Sequence, residues 1–309
     1  MSSELHIREM TIEDVPAQAR IRHASFGWFI SSVAQHEMWW RTTLPKARVL
    51  RLLALRDGQA VGCAVGGFNV TTSEPGASYV QVEVHPDHRG QGVGRALYEQ
   101  IEEHLLGIGA RRVRAFATED PADQRWAEAR GYTQGAHDRY ARLDTAELPP
   151  LPPLPSGVTT ASLREAGPQS VYDLDQAASV DEPGDMSFDG IPYDIWLARY
   201  WNSPDQQLDV GTVVLVDGVA ACVTFLEANL DLGKGMSTGT CTLREYRGRG
   251  LAKIAKAVAL RKAAQAGIHT AITCNDYTNA PMIAVNDWLG YQPFASEYAY
   301  LKQLADQAP

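Results

Sequence analysis

The sequence predicts an α/β protein of the α+β kind, built as two similar domains in tandem, each a mixed central sheet flanked by helices. Three observations lead there. The chain has 309 residues, about twice the length of an ordinary domain. A proline-rich break falls almost at its midpoint. The same succession of strand, helix and turn signals runs on both sides of that break.

The totals bound the class. With 45% apolar and 21% charged residues the composition is that of a globular chain, so folding is expected throughout. Cys63, Cys222, Cys241 and Cys274 form no C-x-x-C pair, which argues against a zinc site or a disulfide framework and for free thiols. No apolar run reaches the roughly 20 residues of a membrane span, and Met1 to Met10 lacks the basic start and apolar core of a signal peptide. The expectation is a soluble cytoplasmic protein with no membrane partner. A formal charge of −9 gives no electrostatic footprint for phosphate backbones, which excludes nucleic acid as a partner class.

The break is Glu147-Leu-Pro-Pro-Leu-Pro-Pro-Leu-Pro-Ser-Gly157, where the prolines delete backbone donors and favour an extended spacer. It divides the chain into a domain at 1–146, a linker at 147–157 and a domain at 158–309. Each half opens on a short alternating strand, His6 to Met10 and Val158 to Leu163, and passes into a helix-rich stretch. A hairpin follows in each. Val49 to Leu55 and Ala60 to Val65 flank Asp57-Gly58, while Thr212 to Val216 and Val219 to Leu226 flank Asp217-Gly218, and Asp-Gly between apolar β-rich runs is a strong hairpin signal.

A strand, a glycine-rich turn and a helix come next. Tyr79 to Val84 alternates, after which Val93, Leu97, Ile101 and Leu105 recur every four residues; Leu251, Ile254, Ala255 and Val258 mark the corresponding helical face. Arg112 to Ala117 and Thr270 to Cys274 are further strands. A short helix then ends at Gly131-Tyr132 or Gly290-Tyr291, and β-rich segments close both halves.

The turns carry the chemistry. They are Arg89-Gly90-Gln91-Gly92-Val93-Gly94-Arg95 and Arg247-Gly248-Arg249-Gly250-Leu251-Ala252-Lys253. A strand passing through small residues into a helix start leaves free N–H groups around a concave turn, where the helix dipole favours an anion such as a pyrophosphate. Glycine lets the backbone come close, and no proline between Arg89 and Gly94 or Arg247 and Ala252 deletes a donor. A triphosphate loop would need Gly-Lys-Ser/Thr, and a dinucleotide fingerprint a glycine where Arg95 and Lys253 stand.

The surviving pattern, Arg-x-x-Gly-x-Gly/Ala after an alternating strand, resembles the coenzyme A signature of the GNAT acetyltransferase superfamily, and it occurs once in each half. The segment Thr273-Cys-Asn-Asp-Tyr-Thr-Asn279 onward to Tyr291 is similar to the Asn-rich strand-to-helix segment of actinobacterial members of that superfamily, tandem ones included. The resemblance implies two acyl-CoA N-acyltransferase domains, acetyl-CoA as donor, no metal, and direct attack by an amine. It implies pairing of the strands Val82 to Val84 and Thr240 to Thr242 with pantetheine, polarisation of the carbonyl by N–H groups near Val84 and Thr242, and a hydrogen bond from Asn279 to the cofactor. Asp120 stands at the position matching Asn279, and an acid suits an anionic cofactor less well.

The resemblance also implies a glutamate eleven residues before each motif arginine and a tyrosine four before each closing glycine. Ser78, Met236, Ala127 and Asn286 stand there instead. Glu83 and Glu227, on candidate strands, are the substitute acids, with a solvated glutamate as the competing reading of each. His85, Asp87 and His88 read as polar turn residues, and Trp28, Phe29, Trp39 and Trp40 as core packing or as walls of an acceptor pocket. Between Glu165 and Ala198 the acids Glu165, Asp173, Asp175, Asp181, Glu182, Asp185, Asp189 and Asp194 occur with no lysine or arginine, a field that would attract a cationic amine or be a solvated face.

These observations lead to an N-acetyltransferase for a small-molecule amine, monomeric or homodimeric, with the second half catalytic. An acyl-CoA-binding structural or sensing protein and a protein N-acetyltransferase are the alternatives.

Overall fold

The computed structural model describes residues 4–179 and 190–304. It forms two compact units, Met1–His137 with Glu297–Pro309, and Asp138–Ser296.

Unit 1 begins with β1 (Leu5–Glu9), α1 (Val15–Ser25), α2 (Val33–Arg41) and the hairpin of β2 (Leu50–Arg56) and β3 (Gln59–Phe68). Asp57 and Gly58 both adopt positive φ, 50° and 76°, the twist that a two-residue hairpin turn needs to match its strands. There follow β4 (Ala77–Val84), α3 (Val93–Ile108), β5 (Arg112–Thr118), α4 (Pro121–Glu128) and the first part of β6 (Thr133–Asp144). The four-residue apolar row of α3 is fully buried against the sheet. Its close approach depends on Gly66, where a Cβ would lie 2.5 Å from Ile101 Cγ2.

Unit 2 repeats the plan with β7 (Val158–Ser162), α5 (Leu163–Ala166), α6 (Pro168–Ser179), α7 (Tyr193–Trp196), β8 (Thr212–Val216), β9 (Val219–Asn229), β10 (Lys234–Thr242), α8 (Leu251–Gln265), β11 (Thr270–Asp276), α9 (Ala280–Leu289) and the first part of β12 (Gln292–Gln303). α7 runs directly into a π-helical turn at Leu197–Trp201. Asp217 and Gly218 repeat the turn geometry of the first hairpin, at φ 49° and 84°. Among the described residues no helix is long and apolar enough to cross a membrane.

The closing strands depart from the expectation that each half completes its own sheet. Asp138–Asp144 of β6 pairs antiparallel with β11 in unit 2, and Glu297–Gln303 of β12 pairs antiparallel with β5 in unit 1. The compact units therefore differ from the sequence halves 1–146 and 158–309. The physical reason lies in the repetition itself. β5 and β11 are the same element of a duplicated unit, so each offers the same kind of edge, and either closing strand can bury its alternate apolar residues there. Tyr300 of β12 is fully buried in the unit 1 core, and Leu143 of β6 is buried in unit 2 beside Leu260 and Tyr291. Part of the 147–157 segment is packed as well: Leu148 lies against that same cluster, and Arg261 donates to the Pro149 carbonyl.

Residues 1–146 expressed alone would lack the strand that pairs with every residue of β5 and would leave an apolar edge open. The fragment is expected to be insoluble or to melt without a cooperative transition. A soluble fragment with a sharp thermal transition by circular dichroism would show the exchanged strand to be dispensable.

Candidate functional site

In both units two neighbouring parallel strands part company. β4 pairs with β5 only over Ala77–Tyr79, although it continues to Val84, and β10 pairs with β11 only over Lys234–Ser237, although it continues to Thr242. Beyond Tyr79 and Ser237 the facing backbone edges have no strand partner among the described residues, leaving N–H and C=O groups for an extended ligand. In unit 2 a bulge in the β9–β10 ladder between Met236 and Gly239 falls at the point of parting; the β3–β4 ladder has none.

Each diverging strand leads into its glycine turn and a helix start. Gly90, Gly92, Gly248 and Gly250 all have φ between 72° and 83°, a region other residues enter at a cost, and a Cβ on any of them would meet nothing within 4 Å. These glycines are therefore needed for the turn's shape and leave open space above it. Gly92 and Gly250 are also the N-caps of α3 and α8, and neither offers a side chain to the first helical N–H groups. The first intrahelical bonds come from Ala96 and Ile254, so the three N–H groups before each are left for an anion.

The motif arginines hold the turns closed. Arg89 Nε donates to the Val84 carbonyl at 3.2 Å, and Arg247 Nε to the Thr242 carbonyl at 3.0 Å. In unit 2 Arg249 lies over Tyr246 and Lys253 over Trp288, so the cations around that turn are set on aromatic faces. In unit 1 Gln91 takes the place of Arg249 and is hydrogen-bonded by Arg56. A Cβ on Gly94 would lie 3.5 Å from Val84 Cγ2, an ordinary contact distance, and Ala252 stands at the matching position of unit 2.

Asn279 and Asp120 occupy equivalent places with the same local duty. Asn279 Oδ1 accepts from Met282 N at 3.3 Å and Asp120 Oδ1 from Ala122 N at 2.8 Å, capping α9 and α4. An acid at an N-cap also meets the positive end of the helix dipole, which gives Asp120 a purpose of its own.

The interiors of the two clefts differ. In unit 1 Glu83 is buried at 4% exposure, 3.0 Å from Arg22 Nε in an ion pair that is not an aligned hydrogen bond, and it accepts from Cys63 Sγ at 3.2 Å. It is neither a solvated glutamate nor an open base. Arg22 also lies over Phe29 and Arg51 over Trp40, so two of the four aromatic rings of this region are covered by the chain's own cations. On the opposite face Tyr98, Tyr132, Glu102 and Lys302 close a network, with Lys302 Nζ 2.5 Å from Glu102. Around them Ala115, Ala117 and Ala127 make an apolar wall.

In unit 2 Glu227 lies opposite Met236, beside the parting of the strands. Burial, and then the charge of Asp205, push its carboxyl up to about 7. Tyr200, from the π-helical turn, is near enough to Glu227 and Asp175 to feel both charges, and π-turns are frequent at functional sites. The acidic field itself is dispersed: Glu165 completes a capping box with Ser162, Asp173 accepts from Gln169 and Asp175 from Trp196, and Asp194 sits in the first turn of α7. Asp181, Glu182, Asp185 and Asp189 lie outside the described residues.

The other face of this cleft carries a group that the sequence did not mark. Lys256 of α8 is 2% exposed, and burial alone pulls its ammonium down to about 7. Its Nζ lies 3.4 Å from Thr273 Oγ1 and 5.4 Å from the centroid of Tyr291. Asn286 Nδ2 donates to Asn275 Oδ1 at 2.6 Å, while Asn286 Oδ1 and the Tyr291 hydroxyl are buried without a well-formed hydrogen bond. The spacing from the glycines shows what differs: Lys256 follows Tyr98 by the same interval as Gly250 follows Gly92, and Thr273, Asn275 and Asn286 fall where unit 1 has Ala115, Ala117 and Ala127.

The chain is similar in sequence and in fold to known acetyltransferases. Residues 16–132 match the acetyltransferase (GNAT) family model. A mycothiol acetyltransferase of Streptomyces bingchenggensis is 28% identical over 263 residues, 82% of this chain and 80% of the relative. Another, from Nocardioides sp., is 27% identical over 223 residues, 67% of this chain and 74% of the relative. The fold matches a tandem GNAT protein from the clavulanic acid biosynthesis pathway with a TM-score of 0.75 at 18% identity, covering 99% of this chain and all of that one. A GCN5-related N-acetyltransferase from Sphaerobacter thermophilus gives 0.73 at 19% identity over 97% and 95% of the two chains.

The buried lysine has a measurable consequence. In the folded chain Lys256 loses its proton near pH 7, whereas the unfolded chain keeps it to 10.5, so stability is lost as pH falls from 10.5 towards 7. Lys256→Met removes the penalty and is expected to stabilise the chain by about 3 to 5 kcal/mol at pH 7 and below. The gain should shrink to nothing near pH 10.5. Thermal melts across that range would refute the account if the variant were no more stable than wild type at pH 7.

Proposed function

We propose that this chain is a GNAT acetyltransferase with two such domains in tandem, and that unit 2 performs the transfer of an acetyl group from acetyl-CoA to a small-molecule amine. The observation that carries the assignment is the pairing, in that unit alone, of an intact glycine turn with a carboxyl raised to about 7 at the parting of the strands, Glu227.

The residues fit the donor. The turn from Gly248 to Lys253 presents backbone N–H groups and cations to a pyrophosphate, and β10 beyond Ser237, where its pairing with β11 has ended, offers backbone groups to pantetheine. An incoming amine must be neutral to attack, and a carboxylate that titrates near neutrality is matched to accept its proton. The small-molecule amine used by the mycothiol acetyltransferases is the first acceptor to try, because those relatives align with most of this chain. Fold alone would not choose it.

Unit 1 keeps the turn but fills the space behind it with the Arg22–Glu83 pair and leaves no carboxyl at the position of Glu227, where Gly67 stands. We assign it binding of an acyl-CoA without transfer. Asn279 keeps its capping bond in this reading, and its amide nitrogen supplies the contact to the cofactor.

Two outcomes test the proposal. Gly250→Trp should abolish transfer and Gly92→Trp should leave most of it, because each fills the space above one turn; the opposite pattern would assign activity to unit 1. Glu227→Gln should lower kcat about 100-fold or more and remove the rise in rate through about pH 7 that ionisation of Glu227 produces. A full-rate variant with an unchanged pH profile would eliminate Glu227 as the base.

A further inference from the structure

The cleft of unit 2 has a second wall, and its buried polar groups have no structural explanation. Among the described residues no anion acts on the buried Lys256, and its one hydrogen bond there, to Thr273 at 3.4 Å, leaves most of its donor capacity unused. Beside it the Tyr291 hydroxyl and Asn286 Oδ1 have no hydrogen bond of good geometry, at 1% and 3% exposure. Unsatisfied polar atoms at that depth cost about 1 to 3 kcal/mol each, and Ala127, which stands in unit 1 where Asn286 stands in unit 2, shows that the fold does not require an amide there.

Their position indicates a use. Thr273 is paired with Ser237 on the last rung before β10 and β11 diverge, and Ser237 also neighbours the Tyr291 hydroxyl. Lys256 is thus one hydroxyl away from the inner end of the cleft. Glu227 reaches the same level from β9, opposite Met236. From β11 and from the segment after α9, Thr273 and Tyr291 are the polar groups that face Lys256, and no charged group among the described residues acts on it.

Resting on the functional reading above, we propose that Lys256 is the proton source for the departing thiolate, acting through the Thr273 hydroxyl. As the amine nitrogen bonds to the acetyl carbon the carbon–sulfur bond breaks and its electron pair stays on sulfur. Thr273 gives its hydroxyl proton to that sulfur and takes one from the Lys256 ammonium. The proton shed by the amine goes to Glu227, and solvent returns one from Glu227 to Lys256, so the cycle closes with no further reactant. An ammonium pulled down to about 7 is a stronger acid than an ordinary thiol at about 8.5, so the transfer runs downhill. Lys256 acts through another residue and is in that sense a positioning residue for the proton.

Lys256→Met should fold, since it removes a buried charge, and should lower kcat about 100-fold with the KM for acetyl-CoA little changed. The fall of kcat above about pH 7 that the wild type should show is expected to disappear. Thr273→Val should lower kcat in the same direction. A readout independent of turnover is the NMR titration of the Lys256 side chain: coenzyme A should move its midpoint, and desulfo-coenzyme A should move it less. Unchanged kcat and alkaline limb in Lys256→Met, a loss confined to KM, or equal titration shifts with the two ligands would each overturn the proposal. A wild-type chain that transfers acetyl to no amine would overturn the functional reading and this inference with it, whereas an active wild type with an indifferent Lys256→Met variant would remove this inference alone.

Discussion

The structure depends on where two parallel strands stop pairing. In each unit the central pair is joined for three or four residues and then diverges, and the glycine turn and helix start are placed at the mouth of the gap. Divergence leaves backbone groups without partners, which is tolerable only where water or a ligand supplies them. The arginine that follows each strand stabilises the open shape by donating to the carbonyl at its end. The open edge, the bare N-cap and the glycine backbone are thus parts of one arrangement, and none would bind an extended anionic ligand without the others.

Duplication of that arrangement freed one copy to become better packed. Unit 1 has an ion pair, a closed tyrosine–glutamate–lysine network and a row of alanines behind its turn. Unit 2 keeps a carboxyl, an ammonium and a tyrosine hydroxyl where burial disfavours them. A carboxyl or an ammonium held in that way reduces stability, and the retention of both beside the unit 2 cleft is a physical argument for chemistry there.

Much of this was legible in the chain. Asp-Gly gave both hairpins because two positive φ values in succession are strained for most residues, and the glycine spacing marked both turns because only open backbone suits a pyrophosphate. The closing strands were not legible, since repeated elements present equivalent edges and local pattern cannot choose between β5 and β11. Glu83 misled for a related reason. Its alternation put it on a strand, but the partner that neutralises it, Arg22, lies far away in sequence on α1. Lys256 was concealed by its surroundings, an alanine-rich helix in which a lysine reads as a solvated residue. Aligning the halves on their glycines would have exposed it, because it falls opposite the buried Tyr98.

That pair of positions also indicates how the two clefts diverged. Tyr98 in unit 1 can be satisfied where it stands, by Glu102 one turn along its own helix and by Tyr132. Lys256 has at the matching helical position Leu260, an apolar residue that gives it nothing. Supplying an acid there would have settled the ammonium in a local ion pair and raised its affinity for protons beyond use. With leucine instead, the charge is balanced only when something else enters the cleft. The missing glutamate is therefore as much a part of the unit 2 site as the lysine itself, and it ties the helix that begins at the glycine turn to the rung where the strands separate.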